Sequence, residues 1–136
     1  MKSLLLVFLI SLIIFSVSTA SAVYAQESGP VKMIEAAISR NVVDRMPVGA
    51  GISFPASITK LYCYTEIATT QIPTEVTHVW YFGNVERARV TLPVKSLNWR
   101  TFSSKIIQKH EIGSWVVEVL GPDGKVLQTL RFKITP

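Results

Sequence analysis

The stretch GSWVVEVLGPDGKVLQTLRFKIT, residues 113–135, decides the fold. In a strand, successive side chains point to opposite faces, so residues two apart share one face. Trp115, Val117 and Val119 form one row, with Val116 and Glu118 opposite. Leu130, Phe132 and Ile134 form another apolar row, backed by Arg131 and Lys133. Between the two runs lies Gly-Pro-Asp-Gly-Lys. Pro122 presets the first turn position and Gly124 supplies the left-handed residue after it. Residues 114–120 and 125–134 therefore read as a hairpin with one apolar face that a second layer must cover.

The same pattern continues upstream. Residues 75–82 and 85–92 read as a second hairpin, because Gly83-Asn84 between them tolerates positive φ. Ala88, Val90 and Leu92 alternate there with Arg87, Arg89 and Thr91, and Pro93 ends the strand. Residues 33–43, 58–67 and 100–107 complete the set, although Met-Ile-Glu-Ala-Ala-Ile at the start of the first also fits a turn of helix. Residues 47–57, rich in Pro and Gly, read as a loop. About seven strands and no helix predict an all-β chain: an immunoglobulin/fibronectin-like antiparallel β-sandwich, with a small closed barrel as the alternative. The expected core is Cys63, Trp80, Phe102, Trp115, Val117, Leu130 and Phe132.

The N-terminus is of another kind. Lys2 precedes an apolar run over residues 4–17, and small residues lead to Val-Tyr-Ala before Gln26. This predicts a signal peptide over residues 1–25, with cleavage after Ala25 or, as second choice, after Ala22. Residues 26–32 read as a linker and 33–136 as the domain. The expected location is secreted or periplasmic, with membrane attachment only through an uncleaved N-terminal segment. Cys63 is the single cysteine of the 136 residues, so no internal disulfide forms and stability rests on packing.

The formal net charge is +5, but the basic residues are dispersed among acidic ones, which argues against a nucleic-acid partner. There is no Cys/His metal spacing, phosphate loop or Gly-x-Ser-x-Gly elbow, so no metal and no cofactor are expected.

The chemistry-bearing stretch is WRTFSSKII, residues 99–107. Strand alternation puts Trp99, Thr101, Ser103 and Lys105 on one side, and Arg100, Phe102, Ser104 and Ile106 on the other. A serine–lysine pair acts as nucleophile and base only when the lysine is desolvated enough to lose its proton. A wet strand face, with Phe102 and Ile106 in the core, does not provide that. The same row makes a better binding surface. Trp99, Thr101, Ser103 and Lys105, with Arg87 and Arg89 beside them, would stack on a sugar and pair with anionic groups. The plainer alternative has Trp99 covering the sandwich edge and the arginines merely solvated. His78 reads as a hydrogen-bonded, half-buried histidine on the face of Trp80, and Glu75, Glu86 and Glu111 as residues of strand ends and loops that nothing pairs for acid–base work.

Six segments together, VVDRMPVGAGISFPAS, LYCYTEI, THVWYFGN, RVTLPV, WRTFSSKII and GSWVVEVLGPDGKVL, resemble the bacterial domain of unknown function 2914 family, from about Val42 to Ile134. Met46 stands where that family leads one to expect an acidic residue. The resemblance implies a small β-rich domain, often exported or membrane-attached, and carries over no catalytic residue. The expected function is a non-catalytic protein-interaction or assembly module of the cell envelope, its partner an unknown envelope protein. A glycan- or anionic-polymer-binding module is the alternative, and a serine–lysine hydrolase the remote one.

Overall fold

The computed structural model describes residues 30–136, so the expected signal peptide and most of the linker lie outside the described residues. Nine strands follow in order: β1 Val31–Val43, β2 Met46–Ala50, β3 Ser53–Pro55, β4 Lys60–Thr69, β5 Thr74–Phe82, β6 Val85–Val94, β7 Asn98–Ile106, β8 Gly113–Leu120 and β9 Val126–Thr135. They form two sheets, β2-β1-β4-β7 and β3-β9-β8-β5-β6, packed as a sandwich. The apolar rows of Trp115, Val117 and Val119, and of Phe132 and Ile134, face inward as their alternation requires. Trp80, Cys63, Trp115, Val117 and Phe132 are buried together, and Leu130 packs partly buried against them.

Several expectations are corrected. There are nine strands where about seven were expected. The two extra ones, β2 and β3, lie in the stretch read as a loop over residues 47–57. Their Pro and Gly content is tolerated because β2 and β3 are the outermost strands of their sheets. β3 pairs parallel with β9, Phe54 opposite Ile134, which is the one parallel ladder among the described residues. β1 begins at Val31, inside the expected linker. Pro93 does not end β6, which runs to Val94. β6 is an edge strand, so a missing N–H on its free side disrupts no ladder.

The strand β7 is turned over. Its parity is as expected, but the row read as wet faces in and the row read as core faces out. Phe102, an expected core residue, is 44% exposed and Ile106, in the same row, 60%, while Ser103 is 4% exposed. Alternation in a single strand fixes which side chains go together and not which row is buried. Here the small hydroxyl row wins the inside because buried partners await it from the facing sheet.

Candidate functional site

Those partners form a polar brace through the core. His78 on β5 is fully buried; its Nδ1 lies 2.7 Å from Ser103 Oγ on β7, and its Nε2 lies 3.2 Å from Thr65 Oγ1 on β4. The indole N–H of Trp80 donates to Ser103 Oγ at 3.1 Å. A separation of 2.7 Å is typical of an O–H donor, so Ser103 donates to Nδ1 and His78 carries its proton on Nε2, facing Thr65. Burial pushes the His78 pKa down from 6.5 to about 4, since a charged imidazole would lose its hydration. The brace ties the two sheets together.

A serine hydrogen-bonded to a histidine has the look of a nucleophile and its base. Here the geometry forbids the role. Both groups are buried, and the serine oxygen is occupied by the Trp80 N–H. Ser103 and Lys105, the pair suggested by the sequence, do not meet. Lys105 Nζ instead bonds the carbonyl of Ile106, at 2.8 Å. Ile107 donates to Thr59 O, and Leu97 O accepts from Thr69, so the odd residues of β7 turn their amides toward β4. Ile106 therefore belongs to the row facing the free edge. Lys105 covers an edge carbonyl, a common way of guarding an exposed strand.

The basic residues singled out from sequence are already engaged. Arg89 bonds Glu86 at 2.7 Å on the surface. Arg87, the extra residue of a β-bulge where Trp80 and Tyr81 pair with Ala88 and Glu86, lies 2.9 Å from the Glu111 carboxylate. That contact is off the hydrogen-bonding direction, so it is coulombic rather than a directed bond. Glu111 is 1% exposed and organises its loop. Its other carboxylate oxygen accepts the Gln108 N–H, and its backbone carbonyl accepts the Trp115 indole N–H. Glu111 lies in a loop as expected; its burial and its ion pair with Arg87 are what the sequence reading missed. A carboxylate three residues after Gln108 was the local sign.

What β7 does build is a cavity of about 200 Å³, lined by Arg45, Tyr64, Trp99, Arg100, Thr101 and Phe102. Because β7 ends its sheet, both of its rows reach this space. Trp99 and Thr101 come from the row opposite Ile67 and Thr65, and Arg100 and Phe102 from the row opposite Glu66 and Tyr64. Arg45 comes from the two-residue turn between β1 and β2. Asp44 and Arg45 there have φ of 51° and 58°, the left-handed pair that a tight hairpin needs. The turn holds the Arg45 guanidinium 5.6 Å from the centre of the Trp99 ring. Arg100 is only loosely paired with Glu66, at 3.6 Å. Tyr64 is 1% exposed although it shares a face with solvent-reaching Glu66. Its Oη and the Trp99 Nε1 are buried and find no partner among the described residues.

Sequence reasoning found Trp99 and Thr101 and missed Tyr64, Arg45 and Arg100. Arg45 gives no signal, since Asp tolerates the left-handed conformation and Arg does not advertise it. Tyr64 reads as one of an alternating wet row. Of the six residues expected to make one binding face, two line the cavity, Arg87 and Arg89 sit in ion pairs, Ser103 is in the core and Lys105 caps the edge. Among the described residues no three of His, Cys, Asp and Glu come together as a metal cage would require.

Residues 73–134 match the family described as protein of unknown function (DUF2914). No curated protein matches. Among solved structures, the chain is similar to the Pseudomonas fluorescens alkylpurine DNA glycosylase AlkC bound to DNA containing an abasic site analog, with a TM-score of 0.50 and 13% identity. The match covers 80% of this chain and 31% of that one, and at this identity the likeness is one of fold.

Proposed function

We propose that this chain, whose residues 73–134 match the DUF2914 family, is a non-catalytic binding and assembly module that works outside the cytoplasm and docks an envelope protein by strand addition at β7. The observation that carries the reading is the outcome at β7. Its serine is sealed in the core, while Phe102 and Ile106 face solvent beside a row of edge amides guarded by Lys105. The apolar run near the N-terminus supports an exported location.

A photo-crosslinker at Phe102 in intact cells traps one defined partner, and the same group at Thr129, on the outer face of the other sheet, does not. Ser104 turns its N–H to the free edge, so Ser104→Pro leaves the β4–β7 ladder whole and abolishes trapping. An unchanged crosslink in Ser104→Pro contradicts strand addition.

A second reading, recognition of an acidic glycan, is favoured by the cavity beside the same strand, where two guanidinium groups and two unpartnered donors line aromatic walls.

A further inference from the structure

We infer that the β7 cavity is a binding site for a sugar acid, a pyranose-sized ring carrying one carboxylate; the inference rests on the glycan reading above. The volume sets the scale. About 200 Å³ is below the roughly 300–1,000 Å³ of sites that take drug-sized molecules, and it leaves room for a single ring.

The polarity sets the charge. Arg45 and Arg100 bring only donors, and the Trp99 indole is a donor only. Tyr64 and Thr101 add hydroxyls, which also donate. No carboxylate stands among the lining residues; Glu66 lies outside them, 3.6 Å from Arg100. A neutral sugar, whose hydroxyls must donate as well as accept, finds only the Tyr64 and Thr101 hydroxyl oxygens as side-chain acceptors there. A carboxylate accepts from every side and matches the planar fork of a guanidinium.

Two residues of the lining carry orphaned polar atoms. Buried donors without partners are rare in native folds, because each forfeits its hydration. Tyr64 Oη and Trp99 Nε1 are two such atoms on adjoining walls of one cavity. A ligand oxygen toward which either side chain turns gives that atom the partner it lacks. The ring of that ligand then lies against Tyr64, Trp99 and Phe102, which supply apolar contact of the kind a sugar face uses. Arg45 is held in a left-handed conformation that a long side chain rarely adopts, and such strain gathers at binding sites. Arg100 is free to turn inward, since 3.6 Å from Glu66 is too long for a hydrogen bond.

The test follows the three indole N–H signals in a ¹⁵N spectrum of the full chain. Trp80 and Trp115 already have acceptors, and Trp99 has none. Glucuronate shifts the Trp99 signal alone, saturably at millimolar concentration, and Trp99→Phe identifies it. Glucose binds at least about tenfold more weakly, the loss expected for a charge-assisted bond. N-acetylalanine, a peptide-like carboxylate without the ring, and inorganic phosphate also bind more weakly than glucuronate. Tyr64→Phe keeps the fold and weakens glucuronate by about three- to tenfold. The proposal is overturned by a Trp99 signal that does not saturate, by glucose, N-acetylalanine or phosphate matching glucuronate, or by Tyr64→Phe binding as the parent does. None of these results touches the Ser104→Pro crosslinking outcome, so the two readings fail separately.

Discussion

Ser103 and His78 carry most of the interpretation, and each has a consequence that is simple to measure. Removing the serine hydroxyl in Ser103→Ala leaves the Trp80 N–H and His78 Nδ1 without partners in a dry interior. The expected cost is about 1–3 kcal/mol of stability, read from denaturant midpoints. His78 couples the fold to pH. Its pKa is about 4 when folded and near 6.5 when unfolded, so between those values the unfolded chain binds the extra proton. The stabilisation is whole above pH 6.5 and is lost as pH falls toward 4, by roughly 3 kcal/mol in all. In His78→Gln this part of the pH dependence disappears from urea midpoints measured across the window. Cys63 behaves in kind. Burial pushes its thiol well above the ordinary range, so alkylating reagents at pH 8 label it only after unfolding. Tyr64→Phe is expected to stabilise the unliganded protein by about 1–3 kcal/mol, because it removes a hydroxyl that has no partner.

At the scale of elements, β7 and the β1–β2 turn matter most. Lys105 covers the edge carbonyl of Ile106, and its loss in Lys105→Ala leaves Phe102 and Ile106 beside a bare edge. That variant self-associates at lower concentration than the parent in sedimentation velocity. Arg45→Gly relieves the left-handed strain at the turn, which stabilises the hairpin by about 1 kcal/mol. The same change removes the cation held over Trp99. Much of this level is legible in the sequence. The turns at Gly83-Asn84 and Pro122-Asp123-Gly124, and the rows of β6, β8 and β9, follow from residue type and period 2. The facing of β7 does not. Trp-x-Thr-x-Ser against Phe-x-Ser-x-Ile gives two rows of similar character. The choice is made by Thr65, His78 and Trp80, remote in sequence, whose polar atoms need Ser103 inside. β2 and β3 were hidden for a related reason. Edge strands tolerate the Pro and Gly that mark a loop, and their pairing with β1 and β9 is a property of the assembled sheets.

The whole molecule is a sandwich held without a disulfide. Trp80 on β5 packs with Cys63 on β4 and Val117 on β8, so hydrocarbon contact joins the layers, helped by the Thr65–His78–Ser103 brace. The Arg87–Glu111 contact ties the β7–β8 loop to the edge of the second sheet. The two-sheet architecture was readable because it is the cheapest way to cover several one-sided hairpins. The cavity was not, since its walls come from β4, β7 and a turn far apart in the chain. Among the described residues Ser103 is buried, and the proposed binding belongs to the surface of the first sheet.

The account stands on the dryness of the interior around Ser103. Nitrogen chemical shifts of the His78 ring, followed from pH 8 down to 4, report it most directly. The expected result is a neutral imidazole protonated at Nε2 until the pH approaches about 4. A ring that takes up its proton near 6.5 would mean that water and solutes reach Ser103, and would return the serine–histidine pair to the list of working groups.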